Sequence, residues 1–292
     1  MNLFIKNYSE VKKYKGYNFR DVIKNLVLKL ALKLYVFLDT KKILLKPRIQ
    51  FLYFHHVFDD EVSNFEKLIL KLRKKNNFIS YSDAISRIEN NLIDKPYIVL
   101  SSDDGFKNNL NAAKILDKYN IKCCFFINPD SIGLKDFVKI KNYCKIKLNM
   151  PPVEFLDWED LLFLNKNGHE IGSHSMDHLN FSTLNEQEAK NNLIKAIDVL
   201  KKKCFKIEHF AYPYGRLIDF NKISFDAVFK SGYHSCSSAI RGCHFPSKNN
   251  IEKNNLLLKR DIVIMDSNFS NIFYFIYKNA YGSELIKLQP FK

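Results

Sequence analysis

Arginine is scarce in this 292-residue chain, with seven residues against 39 lysines inside a net charge of +15. No arginine-rich or lysine–aromatic stripe runs through it, which argues against nucleic acid as a partner. The lysine excess accompanies many Asn and Ile residues, so two readings stay open: a compositional bias, or attraction to an anionic membrane or acidic glycan. Cysteine pairing is also missing. Cys123, Cys124, Cys144, Cys204, Cys236 and Cys243 form no CxxC and no dense framework, a pattern that suits a reducing compartment. No uncharged stretch approaches the ~20 residues a membrane-spanning helix needs. Residues 1–20 are polar, and the apolar run behind them carries Lys29 and Lys33 without a small-residue cleavage site. A cytoplasmic protein is expected, with peripheral contact at the inner membrane face as an option. Neither an internal repeat nor a low-complexity tract appears.

The remaining composition is that of a globular protein, 46% apolar and 26% charged. Residues 1–20 read as irregular. Ile23, Leu26, Val27, Leu30, Leu34, Phe37 and Leu38 recur at helical spacing and predict an amphipathic helix over 21–38. It either packs on the body of the protein or lies on a membrane surface. Pro47 closes this preamble, which divides the chain into an N-terminal helical extension, 1–46, and a main domain, 47–292. From Ile49-Gln-Phe-Leu-Tyr-Phe54 onward strands and helices alternate, the pattern of parallel strands joined by crossover helices. Asp157 and the Asn185/Glu188 pair predict helix starts, and Gly168 a helix end. Residues 129–152 carry little periodicity and read as a lid-like excursion.

Two aspartates close an apolar strand at Tyr97-Ile-Val-Leu-Ser-Ser-Asp-Asp-Gly105, and Gly105 permits a sharp turn. Neighbouring strand residues point opposite ways, so one carboxylate can ligate while the other handles protons. His174 and His178 follow another strand-like run, and one helical turn would set both imidazoles on one ion. A carboxylate and two imidazoles leave positions open for water and substrate, as a catalytic zinc site requires. A third run ends in His209-Phe-Ala-Tyr-Pro-Tyr-Gly215. Three strand ends converging on one face are where an α/β fold builds its site.

These segments resemble the motifs of the polysaccharide deacetylase family, the NodB-homology carbohydrate esterases. Ser101-Ser-Asp-Asp-Gly105 is similar to its first motif, His174-Ser-Met-Asp-His178 to its second, and Phe210-Ala-Tyr-Pro-Tyr-Gly215 to its third. The resemblance spans about Pro47 to Met265. It implies an irregular (β/α)7-type barrel with the site at the C-terminal ends of the strands. It also implies Asp103 as the base, Asp104, His174 and His178 as ligands of one divalent ion, and Tyr214 at the oxyanion position. Zinc is the default ion, with manganese, cobalt and nickel as alternatives.

Three departures stand out. Ser102 replaces a usual phenylalanine. Ala211 replaces the arginine that pairs with the base, leaving Arg260 as the candidate to orient Asp103. The C-terminal histidine that usually acts as acid is absent. Phe54-His55-His56-Val57 instead resembles the N-terminal Tyr-His-x-Val segment of the poly-N-acetylglucosamine deacetylase subset, which makes His55 the expected acid and His56 a neighbour pointing elsewhere. The implied activity is removal of an N-acetyl or other acyl group from an amino sugar in a cell-envelope glycan or glycolipid precursor. The alternatives are a deformylase or O-deacetylase of a lipid-linked sugar, or a non-catalytic glycan-binding barrel. Oligomeric state is not legible.

Overall fold

The computed structural model describes residues 4–16, 27–34, 41–203, 205–246, 256–265 and 268–285. Its strands are β1 (Arg48–Phe54), β2 (Asn77–Phe78), β3 (Pro96–Ser102), β4 (Cys123–Ile127), β5 (Glu170–Ser173), β6 (His209–Ala211), β7 (Ser235–Ser237), β8 (Leu257–Leu258) and β9 (Arg260–Ile262). All pair in parallel, in the order β8-β7-β6-β5-β4-β3-β1-β9, with β2 alongside the start of β3. The two ends of that order, β8 and β9, are halves of one run interrupted at Lys259. One half pairs with β7 and the other with β1, so the run closes the sheet on itself. Six strands and this split one make the seven staves expected of the barrel.

The helices are α1 (Tyr8–Lys15), α2 (residues 27–34), α3 (Lys41–Leu45), α4 (Val62–Arg73), α5 (Tyr81–Glu89), α6 (Asn109–Lys118), α7 (Phe137–Lys147), α8 (Trp158–Lys166), α9 (Glu186–Lys201), α10 (Lys222–Lys230) and α11 (Phe269–Leu285). Alternation along each strand sorts the core. Ile49, Phe51, Tyr97, Val99, Cys124 and Phe126 pack with Tyr81, Ala84, Ile85 and Ile88 of α5. Leu52, Phe54, Ile98, Leu100, Cys123 and Phe125 point the other way, into the layer shared with the surrounding helices. Helix α5 sits at the amino-terminal end of the barrel, where the Glu170 carboxylate at the start of β5 accepts from the Tyr81 and Ser82 amides at 2.7 and 3.1 Å. That end is plugged, and the opposite end is left for a site.

Two expectations change here. Residues 1–20 are not irregular throughout, because Tyr8–Lys15 is helical. The Asp60 carboxylate accepts from the Tyr8 and Ser9 amides, 2.8 and 3.1 Å, which satisfies two otherwise orphaned donors at the start of α1. Residues 129–152 contain a three-turn helix, α7. Only Ile140 and Cys144 of α7 are buried, so its apolar period is too sparse to show in the sequence. Of the helix expected at 21–38, residues 27–34 are helical and 21–26 and 35–38 lie outside the described residues. Leu32 packs on the core, whereas Val27, Leu30 and Leu34 are exposed. Among the described residues no helix is long and apolar enough to cross a membrane.

Candidate active site

The open end of the barrel holds a cleft of about 550 Å³. His55, Asp103, Asp104, His174, His178, Tyr214 and Arg260, the residues singled out from the sequence, all line it.

Asp103 extends the β1–β3 ladder by one step, its amide donating to the Phe54 carbonyl at 3.0 Å. Its carboxylate meets the Arg260 guanidinium side by side, Nη1 to Oδ1 at 2.8 Å and Nη2 to Oδ2 at 2.9 Å. Arg260 is itself held, donating to Ser101 Oγ (3.2 Å) and the Ser238 carbonyl (2.9 Å), with Tyr53 against its face at 4.5 Å. Burial works to raise the Asp103 pKa, but the Arg260 charge, the nearby His174 and the paired hydrogen bonds outweigh it and hold the carboxyl below the usual range. The arginine missing from position 211 is thus supplied by β9, on the far side of the barrel closure.

The backbone turns at Asp104 and Gly105, with φ of 71° and 69°. This left-handed turn, rather than simple strand alternation, sends the two carboxylates to different partners. Asp104 Oδ1 lies 3.5 Å from His174 Nε2 and 3.5 Å from His178 Nε2, and among the described residues it has no hydrogen-bond partner although it is buried. Burial would raise the Asp104 pKa, yet the facing His174, with the His55 and His178 imidazoles nearby, lowers it strongly.

The two histidines do not lie on a helix, as the spacing predicts. They flank a turn after β5 in which Ser175 and His178 take φ of 67° and 59°, closed by the His178 amide donating to Ser175 Oγ at 2.9 Å. The result is the same convergence by another route, with ring centroids 5.2 Å apart. His174 Nδ1 donates to the Ala211 carbonyl (2.6 Å), which leaves Nε2 as the bare nitrogen facing Asp104. Burial lowers the His178 pKa to about 4, so its imidazole is neutral and able to ligate.

These three atoms fit a metal ion. Ligands ~2.0–2.1 Å from a tetrahedral centre are ~3.3–3.4 Å apart, close to the separations here. An unpartnered buried carboxylate oxygen between two imidazole nitrogens is otherwise costly. Among the described residues they are the one His/Cys/Asp/Glu group with this convergence.

His55 follows the end of β1, its ring edge-on to Tyr53 at 5.5 Å. Burial pulls its pKa down while Asp104 and Asp103 pull it up, and burial prevails. His56 does not point elsewhere, as expected from alternation; it also lines the cleft. Its Nδ1 contacts the buried Glu61 carboxylate at 2.9 Å, and Tyr8 from α1 stacks on it at 5.1 Å. The acidic run Asp59-Asp60-Glu61 just after the histidine pair was the available signal for that contact. Tyr214 has φ of 63° and sets its ring 4.8 Å from His178 at the mouth. Gly215 follows at φ 70°, where a Cβ would fall 2.4 Å from that of Ala239. Trp158 is partly buried against the core and is not among the cleft residues.

The polysaccharide deacetylase profile matches residues 91–235, the stretch holding Asp103, Asp104, His174, His178 and Tyr214. The chain belongs to the polysaccharide deacetylase family. Its fold is similar to IcaB from Ammonifex degensii, at 17% identity and TM-score 0.63 over 80% of this chain and 97% of that one. The Streptococcus pyogenes deacetylase PplD in complex with acetate matches at 17% identity and TM-score 0.57, over 78% and 96%. A de-N-acetylase from Aggregatibacter actinomycetemcomitans matches at 18% identity and TM-score 0.57, over 78% and 99%. No curated protein matches the chain in sequence. At these identities the structures establish the barrel. His55 and Arg260 of this deacetylase lie outside the stretch that the family profile matches, so their place in the site rests on the geometry above.

Proposed function

We propose that this deacetylase hydrolyses the N-acetyl group of an amino sugar, carried on a cell-envelope glycan or glycolipid precursor, with a divalent ion held by Asp104, His174 and His178. The observation that carries this reading is the unpartnered Asp104 Oδ1 between two imidazole nitrogens, beside an Asp103 carboxylate locked on Arg260. When bound, the ion polarises the acyl carbonyl and acidifies water; zinc suits two imidazoles and a carboxylate, and manganese, cobalt or nickel are alternatives.

The protein's own groups do the rest. Asp103 is ionised, fixed in orientation by Arg260, and positioned to take the proton from the attacking water. The Tyr214 backbone amide serves the developing oxyanion. His55 gives a proton to the leaving amine nitrogen, which would otherwise depart as an unstable anion. Retention of Asp103 separates this reading from a glycan-binding barrel, because binding alone has no use for a buried, oriented base.

Incubating the metal-loaded protein with N-acetylated and N-formylated amino-sugar oligomers and O-acetylated controls, and measuring the acid released, tests this. Acetate from the N-acetyl substrate is expected. Formate alone would reassign the enzyme as a deformylase, acetate from the esters alone as an O-deacetylase, and no acid from any substrate would sink the hydrolase reading.

A further inference from the structure

Large apolar side chains rarely stand far out of a protein, and clusters of them mark places where something docks. Among the described residues the two most exposed are Ile146 and Ile218, each 74% accessible. They come from different elements. Ile146 is in the last turn of α7, and Ile218 is in the short helical turn Leu217–Asp219 between β6 and α10. Ile146 lines the mouth of the catalytic cleft, and so does Arg216, two residues before Ile218. Ile264, 40% exposed after β9, lines the same mouth.

Helix α7 itself carries charge of one sign, although Asp136 caps it and Asp177 pairs with its last lysine, Lys147, at 3.3 Å. From Phe137 to Lys147, helix α7 carries Lys139, Lys141, Lys145 and Lys147 and no acidic residue. It also exposes Val138 at 63%. A helix with lysines and isolated aliphatic side chains on its solvent side matches an anionic lipid surface: the lysines meet the headgroups and the aliphatic tips enter the acyl boundary. An acidic polysaccharide would satisfy the lysines but offers nothing apolar to the isoleucines.

We propose that the rim of the cleft, formed by the solvent side of α7 with Ile146, together with Ile218 and Ile264, docks the enzyme on an anionic lipid bilayer. The cleft opens through this rim, so the sugar it receives is one presented from a lipid surface. The substrate class rests on the deacetylase reading above; the docking does not.

Co-sedimentation of the full chain with vesicles tests it. Binding is expected to vesicles of phosphatidylcholine with phosphatidylglycerol and only weakly to phosphatidylcholine alone. Ile146→Asp and Ile218→Asp are each expected to reduce that affinity on the order of tenfold, from the free energy of burying one aliphatic side chain. Lys139→Glu with Lys141→Glu and Lys145→Glu should do at least as much. Both isoleucines are so exposed that the fold should survive, which a thermal melt checks. Leu92→Asp, before β3 at the opposite end of the barrel, should bind like wild type. Asp103→Asn should also bind like wild type, so a failed deacetylase assay and a failed docking assay remain distinct results.

Four outcomes would overturn the proposal. One is no binding to anionic vesicles. A second is binding that ignores the rim substitutions but is lost in Leu30→Asp, which would place the contact on α2. A third is binding lost only with the lysines and abolished by competing polyanionic glycan, which would make it a glycan surface. The fourth is a dimer in light scattering that Ile218→Asp dissolves, which would make the rim a contact between copies of this chain.

Discussion

At the scale of single residues, the site divides its work by how each side chain is held. Asp103 and Arg260 are both buried and share two parallel hydrogen bonds. Such a pair is costly to break on one side only, typically ~3–5 kcal/mol, because the survivor is left charged and unpaired. Among the described residues His55 has no such partner, and its place near both aspartates is what the proposed acid role draws on. An acid matters most when the leaving group is poor. His55→Ala should therefore slow an acetamide substrate by roughly 10²-fold or more while slowing an activated ester far less. Steady-state rates on the two substrates decide it; equal losses, or none, would make His55 structural. The order of the motifs made Asp103, Asp104, His174 and His178 legible in the sequence, because each ends a recognisable apolar strand. What was not legible was backbone sign. The positive φ angles at Asp104, Ser175 and His178 separate the carboxylates and build a turn where spacing suggested a helix. Positive φ is uncommon at any non-glycine residue, and the enrichment of Asp and His there is too weak to mark these positions in a sequence.

At the scale of elements, capping chemistry carried well from sequence to structure. Asn185 Oδ1 accepts from the Glu188 amide (3.0 Å) and Glu188 Oε2 from the Asn185 amide (2.9 Å), as the spacing at the start of α9 predicts. Asp157 caps α8 in the same manner, accepting from the Asp160 amide at 3.0 Å. Helix α7 escaped notice because two buried positions in eleven residues make no visible stripe. The last helix, α11, is fastened by a group with a pH signature. Asp261 of β9 accepts from Asn279 of α11 (2.7 Å), from Gln50 of β1 (2.7 Å) and from the Gly242 amide (3.2 Å). Burial nevertheless pushes its carboxyl up to about 7. An unfolded aspartate titrates near ~3.9. Between about pH 4 and pH 7 the unfolded chain therefore releases a proton that the folded chain keeps, so this group's contribution to stability falls as pH rises and is level above that window. Asp261→Asn cannot titrate. Its melting temperature relative to wild type should climb across the window and then stay flat; a difference independent of pH would show that Asp261 is ionised in the fold throughout.

At the scale of the whole molecule, closure of the barrel makes the site. Asp103 and Asp104 follow β3, His174 and His178 follow β5, His55 follows β1, and Arg260 belongs to the half-strand that seals the sheet. The family resemblance made the seven-stave barrel legible in advance, whereas the split of the last strand at Lys259 was not, since a two-residue and a three-residue strand carry no period to read. On the proposed reading, three side chains from two strand ends hold one divalent ion while Asp103 stands apart as the base. Metal content of the purified protein, measured per chain for wild type, His174→Ala and Asp103→Asn, tests it most directly. One ion per chain is expected in wild type and in Asp103→Asn, whose amide keeps the shape but cannot take a proton, and little in His174→Ala. Equal metal in wild type and His174→Ala, or metal lost from Asp103→Asn, would contradict it.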